Sequence, residues 1–486
     1  MGTEKTAESQ EPEDSRSSRV AHDQQPPKAL LDFMTTGWDR SPAPPAKPLP
    51  GGERYQARRE RLSAGFPGML VVVPAGVDKV RANDTTFPFR PSTDYLYLVG
   101  EGEPDEVLVL EPDSGGGHRM SIFTEPSADF SKSDFFTDRV KGVFWVGPGR
   151  GLEVTQQRLG VEARPIAELA QLIQGHDRGV VLRGVDPKVD RLASDLAGPD
   201  QELATQLSEQ RLIKDQLEVE ALEEACDLTR QGFEEVVRAL PQARSERDVE
   251  VAFFRRARTG GNDTGYATIA AAGSHATILH WSKNTGQVRP GELLLLDAGV
   301  ESSRFYTADI TRTMPINGRF SPAQRQVYEL VYRAQEAAFA EVQPGNDFLA
   351  PNRAAMAVLA QGLEGLGLLP VRADESLTPE SQLHMRYALH GVSHMLGLDV
   401  HDCSRAREET YRRGSLEVGM VLTVEPGLYF QPHDLTVPEE LRGIGVRIED
   451  DVLVTEEGHR ILSQGLPSAP DELESWMQQL WEGSPK

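Results

Sequence analysis

Five ionisable residues of this chain sit inside runs of apolar sequence, where a lone charge is costly to bury. Asp297 ends the run Leu-Leu-Leu-Leu-Asp-Ala-Gly, and Asp309 follows Phe-Tyr-Thr-Ala. His394 lies in His-Gly-Val-Ser-His-Met-Leu-Gly-Leu, Glu425 in Val-Leu-Thr-Val-Glu-Pro-Gly-Leu-Tyr and Glu449 in Gly-Val-Arg-Ile-Glu-Asp-Asp. A metal is the natural partner for all five. Four carboxylates and one imidazole are too many donors for a tetrahedral zinc site. They suit two divalent ions that share bridging carboxylates. An oxygen-rich set with one nitrogen favours Mn²⁺, with Zn²⁺, Co²⁺ or Fe²⁺ as alternatives. Two ions about 3.5–4 Å apart can hold a hydroxide and clamp both sides of a hydrolytic transition state. Metal-assisted hydrolysis is therefore the chemistry indicated.

The elements that must position these groups can be read from the alternation of side chains. In a strand, residues two apart point the same way, so Val421, Thr423 and Glu425 share a face. Arg447, Glu449 and Asp451 share another, with Val446 and Ile448 opposed. Thr311 and Thr313 follow Asp309 on its own side. Polar stripes on apolar-backed strands describe a carboxylate-lined cavity. Strands are expected at 266–272, 292–297 and 305–313. The Glu-rich stretch 212–240 carries apolar residues at helical spacings. Ser245 to Asp248 reads as a capping box for a helix through Arg258, and Ser321-Pro322-Ala-Gln324 as a strong start for another. A further helix is expected at about 352–366. Two helices with strands, twice over, predict an α+β unit of two related halves, with helices on one side of a curved antiparallel sheet.

Upstream, residues 1 to about 27 have the composition of a segment that cannot bury enough to fold. The apolar patch Ala29–Met34 is a candidate for docking on the body, and the Pro-rich run 41–52 reads as a stiff linker. Residues 53–205 alternate between helix and strand, a smaller mixed α/β domain with a lid or assembly role. Strands are expected at 69–74, 95–99, 106–110, 120–124 and from 179, with helices at 54–63 and near 152–174. Asp94 reads as a turn residue. The divisions expected are 1–52, 53–210 and 211–486.

The whole chain sets further bounds. With 486 residues, two domains and a tail are expected. Its 75 acidic residues against 51 basic ones give a net charge of −24, which argues against nucleic-acid or anionic-membrane partners. Two cysteines, Cys226 and Cys403, exclude a disulfide framework and suit a reducing compartment. Ordinary polar sequence around Cys403 argues against a thiol protease. No run is long and apolar enough to span a membrane, and no secretory signal is read at the N-terminus. The cytoplasm is the expected location.

The segments Leu-Gly-Leu-Asp-Val-His-Asp, Val-Glu-Pro-Gly-Leu-Tyr and Gly-Val-Arg-Ile-Glu-Asp-Asp resemble the pita-bread metallopeptidases. Within that family, which includes methionine aminopeptidase, they resemble the aminopeptidase P and prolidase branch. The resemblance runs from 211 to about 465, and residues 53–205 resemble the branch's N-terminal domain. It implies that Asp297 holds one metal, His394 and Glu425 the other, and that Asp309 and Glu449 bridge both. Glu425 would also act as general base. His280 and His401 would hold the substrate carbonyl and the tetrahedral intermediate, His390 would line the pocket, and Tyr429 would join it. Arg447 would keep the bridging Glu449 ionised and oriented. The implied reaction is removal of an N-terminal residue before proline, by a hydroxide between two metal ions, in a homodimer or homotetramer. Prolidase activity on Xaa-Pro dipeptides is the runner-up. A metal-free creatinase-like hydrolase or a silent binding module of the same fold would have lost ligands, and all five positions are filled. Asp297 and Asp309 stand one residue further apart than is commonest in the family, an excess to be absorbed by a longer turn or a bulge. The arginines of the 403–413 loop are expected to be solvated, with contact to the carboxy-terminal side of the substrate as the alternative.

Overall fold

The computed structural model describes residues 26–39, 41, 45–83 and 85–483. The composition-based reading of residues 1–25 as unfolded lies outside them. The Lys28–Met34 helix buries none of its residues. Docking falls instead to Trp38, which stacks on Phe130 at 5.4 Å and meets Phe135 and Phe144 edge-on. Residues 46–49 of the Pro-rich run then lie along the first domain, Ala46 N–H donating to Gln157 Oε1 and Leu49 N–H to Arg158 O.

A five-stranded mixed sheet forms that domain, in the order Glu162–Pro165, His118–Thr124, Val107–Pro112, Leu70–Pro74, Gly179–Val181. Leu70–Pro74 is buried throughout, as an apolar run packed on both faces requires. Two expectations are corrected here. The run Tyr95–Val99 is not a strand but the body of a helix, Thr93–Val99. Ser92 caps its N-terminus, Gly100 ends it at φ +93°, and every residue from Tyr95 on is buried. With all faces covered, no apolar periodicity is left to separate helix from strand. Asp94 therefore lies in a first helical turn. The helical stretch at 152–174 is in fact two helices, Gly151–Leu159 and Leu169–Gln174, parted by the edge strand Glu162–Pro165.

The helix Asp200–Leu212 leads into the second unit. Gln216–Ala239 and Glu246–Gly260 form its first helix pair, Pro322–Glu341 and Ala350–Gly365 its second. Capping boxes at Asp215, Ser245 and Ser321 fix three of the four starts. Both pairs bury their apolar faces in one core with the backs of the strands. In the first half, Leu293–Ala298 pairs antiparallel with Ile310–Pro315 and Ile269–Ala272. In the second, Asp450–Thr455 lies between Val421–Val424 and Gly458–Ile461, and Gly427–Tyr429 pairs with Gly445–Arg447. The halves meet at the Thr311–Glu449 bridge. The expected strand 305–313 starts only at Ile310, because the residues before it turn.

That turn takes up the extra residue. Asp297 faces Thr311, and four residues on Glu301 still faces Thr307, so the pairing does not slip. The surplus is confined to the loop Ser302–Tyr306, closed by Ser302 N–H to Tyr306 O at 2.8 Å. Phe305 adopts φ +68° there, a conformation a bulky residue holds only when its surroundings enforce it.

Candidate metal centre and its cavity

All ten residues singled out in the sequence except Tyr429 line one cavity of about 800 Å³. Tyr429 touches the set through its hydroxyl. Among the described residues, Asp309, His394 and Glu449 each offer a ligand atom within 4.8 Å of one another. Asp297 and Glu425 flank this trio in the same cavity. His394 Nε2 lies 3.3 Å from Asp309 Oδ2 and 3.4 Å from Glu425 Oε1.

Each side chain is held from behind. Asp309 N–H donates to Asp451 Oδ2 at 3.1 Å, and Glu449 N–H to Thr311 O at 3.1 Å. Thr311 Oγ1 donates to Glu449 Oε2 at 2.6 Å and accepts from Arg447 Nε at 3.1 Å. The same arginine pairs with Asp297 Oδ2 and donates to the Tyr429 hydroxyl at 3.0 Å. Arg447 thus grips Asp297 directly and reaches Glu449 through Thr311. Thr423 ties the other side: it accepts from His394 N–H at 3.2 Å and donates to Glu425 Oε1 at 3.3 Å. His390 Nε2 lies 2.7 Å from the Tyr429 hydroxyl, and its Nδ1 is 3.5 Å from Glu425 Oε2. His401 meets His394 edge-on, ring centroids 4.4 Å apart. His280 sits on a loop held by the buried Glu246, which accepts from Ala272 N–H, Trp281 Nε1 and Gly286 N–H and pairs with His275 Nδ1 at 2.7 Å.

One residue that sequence reading missed stands at the centre. The Tyr266 hydroxyl is 2.6 Å from both Asp297 Oδ1 and Asp309 Oδ1. It precedes an apolar strand and belongs to no charged motif, so only its tertiary position reveals it. Tyr266→Phe is expected to weaken metal binding about tenfold, the usual cost of losing a group that orients ligands, with the fold retained. Isothermal titration with Mn²⁺ checks this, and unchanged affinity would count against it.

The electrostatics describe an excess of buried negative charge. Burial pushes Glu449 well up, and Asp309, Glu425 and Asp297 push it further. Burial raises Asp297 against the pull of Arg447. Burial and Asp309 lift Glu425 to about 7, against His394. His394 would be lowered by burial, but the hydrogen bond to Asp309 and the charge of Glu425 carry it up to about 9. His390, buried beside Arg447, falls to about 4. Four clustered carboxyl groups and one imidazole form a donor set that divalent cations fit, and the single arginine beside them leaves the negative charge unbalanced.

Of the loop arginines, Arg407 pairs with Glu202 at 2.6 Å and Glu209 at 2.7 Å, and Arg413 with Glu408 at 2.7 Å. Arg412 lines the cavity. Cys403 is buried and unpaired, like Cys226.

Fold and centre together define a metallopeptidase. Residues 220–456 match the model of metallopeptidase family M24, and residues 55–180 that of the aminopeptidase P N-terminal domain. The chain is 48% identical to Xaa-Pro aminopeptidase 1 of Streptomyces coelicolor over 456 residues, 93% of this chain and 92% of that one. It is 33% identical to the Xaa-Pro aminopeptidase of Escherichia coli over 453 residues, covering 87% and 97%. An Escherichia coli aminopeptidase P variant in complex with substrate superposes with a TM-score of 0.78 at 30% identity, covering 89% of this chain and all of that one. The zinc-substituted enzyme in complex with product gives 0.78 at 31%, covering 89% and 99%. The chain belongs to metallopeptidase family M24 and, within it, to the Xaa-Pro aminopeptidases.

Proposed function

We propose that this chain removes the N-terminal residue from peptides with proline in second position, in a reaction that requires two divalent metal ions. The observation that carries the reading is the convergence of Asp309, His394 and Glu449 on one point of the cavity, flanked by Asp297 and Glu425. We assign Asp297 to one metal, His394 and Glu425 to the other, and Asp309 and Glu449 to both. Mn²⁺ is favoured by the oxygen-rich donors. When bound, the ions would supply Lewis acidity toward the scissile carbonyl and toward water.

The chain's own groups do the rest. Glu425 takes the proton of the attacking water, its carboxylate held by Thr423 and facing His394 in the cavity. His280 and His401 hold the carbonyl oxygen and the oxyanion that follows it. His390, kept neutral by burial beside Arg447, lines the pocket with Tyr429. Arg447 pairs with Asp297 and, through Thr311, orients Glu449. The proline amide has no N–H, so its pocket needs no acceptor there.

The remaining proposals concern organisation. Residues 1–52 form a tail and linker, 53–210 the N-terminal domain and 211–486 the catalytic unit. The chain assembles as a homodimer or homotetramer, a reading supported by the exposed apolar turn Val143–Val146 in the N-terminal domain. A monomeric mass in light scattering would overturn it. Two buried free thiols suit a reducing cytoplasm. Among the described residues no helix is long and apolar enough to cross a membrane.

The deciding assay is hydrolysis of Arg-Pro-Pro against Ala-Pro by metal-stripped protein reloaded with Mn²⁺. Metal-dependent cleavage of the tripeptide supports the proposal. Cleavage of the dipeptide alone makes the chain a prolidase.

A pH effect follows from the metal-free site. A carboxyl raised from 4.5 to about 7 on folding contributes stability below 4.5 that is lost as pH rises through 7. Glu425 is that carboxyl. Metal takes the place of that proton, so Mn²⁺ is expected to raise the melting temperature more at pH 8 than at pH 6. Calorimetry of stripped and loaded protein at both values tests the order.

A further inference from the structure

Around the cavity, one polar network ties the N-terminal domain to the loop that carries His401. The next residue, Asp402, is buried, and its carboxylate accepts three N–H groups: Leu398 at 3.1 Å, Cys403 at 2.6 Å and Arg211 Nε at 3.0 Å. Its own N–H donates to Met395 O at 3.0 Å, so the loop closes on itself. Cys403 is held at φ +61°, which a non-glycine residue keeps only under enforcement from its surroundings. Arg211, itself buried, extends its guanidinium from Asp402 to Asp94, in the first turn of the N-terminal domain's Thr93–Val99 helix.

Two neighbours of Asp94 reach the same loop. Thr93 Oγ1 donates to Asp399 Oδ1 at 2.7 Å. Arg90 donates through Nη2 to Leu398 O at 2.6 Å and through Nε to Glu301 Oε2 at 2.7 Å. Glu301 lies in the hairpin that joins Asp297 to Asp309, so a single arginine touches both the histidine loop and the aspartate hairpin. Its planar fork suits such divided contacts.

We propose that Arg90 and Arg211 are positioning residues for His401, through which the N-terminal domain sets the placement of that imidazole in the cavity. The proposal rests on the assignment of His401 to the carbonyl oxygen. Neither arginine lines the cavity; each acts through the loop 396–403. A tie that merely joined domains would stabilise the chain without a special relation to His401.

The test uses full-length, Mn²⁺-loaded protein carrying Arg90→Gln or Arg211→Lys. Arg90 is one-third exposed, so its variant is expected to fold even if the buried Arg211 variant does not. Two readouts are taken: hydrogen exchange of segment 396–403, and kcat and KM on Arg-Pro-Pro in the native and His401→Ala backgrounds. Expected are faster exchange in that segment with the strand Val421–Val424 unchanged, and a kcat lower by about tenfold at nearly constant KM. In the His401→Ala background the further loss shrinks to less than about twofold. Unchanged exchange, or an equal loss in both backgrounds, overturns the proposal. If wild-type protein cuts neither tripeptide nor dipeptide, the peptidase reading itself falls, and exchange alone decides whether the arginines order the loop.

Discussion

Glu425→Gln is expected to lower kcat on Arg-Pro-Pro by at least about three orders of magnitude, combining the loss of a general base with that of a metal donor. The amide keeps the volume of the side chain and can still accept from Thr423, which now donates to Glu425 Oε1. It cannot accept the proton of water, and it is a poorer ligand for a cation. KM should change far less than kcat, because the cavity walls are left in place. Metal analysis should show fewer than two ions per chain. Retention of more than about a tenth of wild-type kcat would remove Glu425 from the role of base.

Arg312→Ala carries the largest expected effect on stability. The arginine is 1% exposed. Its Nη2 donates to Asp450 Oδ1 and Leu466 O, each at 2.7 Å, its Nη1 to Glu449 O at 2.7 Å and Thr311 O at 2.9 Å, and its Nε to Pro467 O at 2.9 Å. Truncation leaves the buried Asp450 with hydrogen bonds from Ser463 and Gln335 but without its counter-charge, and takes a donor from four carbonyls, a loss of about 3–5 kcal/mol. For a unit of this size the melting temperature should fall by roughly 10 °C. Since two of those carbonyls belong to Thr311 and Glu449, Mn²⁺ affinity should weaken as well. Calorimetry and titration check both, and a shift under about 2 °C would show that the site relaxes around the gap.

The clustering of the acids in one cavity was legible in the sequence because each acid lies in or beside an apolar strand, and strand alternation puts Thr423 beside Glu425 and Thr311 beside Asp309. What made it legible is local. Tyr266 was not, since its meaning lies in two aspartates that reach it only through the tertiary fold. Glu246 was equally hidden: at the start of a helix it reads as an ordinary capping acid, yet it holds the His280 loop. Tyr95–Val99 misled for the opposite reason, its complete burial erasing the pattern that separates helix from strand. The long Asp297–Asp309 spacing was a question only the pairing of Glu301 with Thr307 could answer. The arginines of the 403–413 loop divide by location: Arg407 holds the helix before the catalytic unit, and Arg412 faces the cavity.

The meeting of the two halves at Thr311 and Glu449 has a consequence for the lifetime of the protein. Asp297 and Asp309 come from one half, His394, Glu425 and Glu449 from the other, so any ion held by both sets is a staple across the seam. Opening the seam then requires releasing the ion, which couples unfolding to the free metal concentration by mass action. Scarcity of metal would not only idle such an enzyme but also expose its interior to proteolysis, so that supply of the ion governs how much of the protein persists.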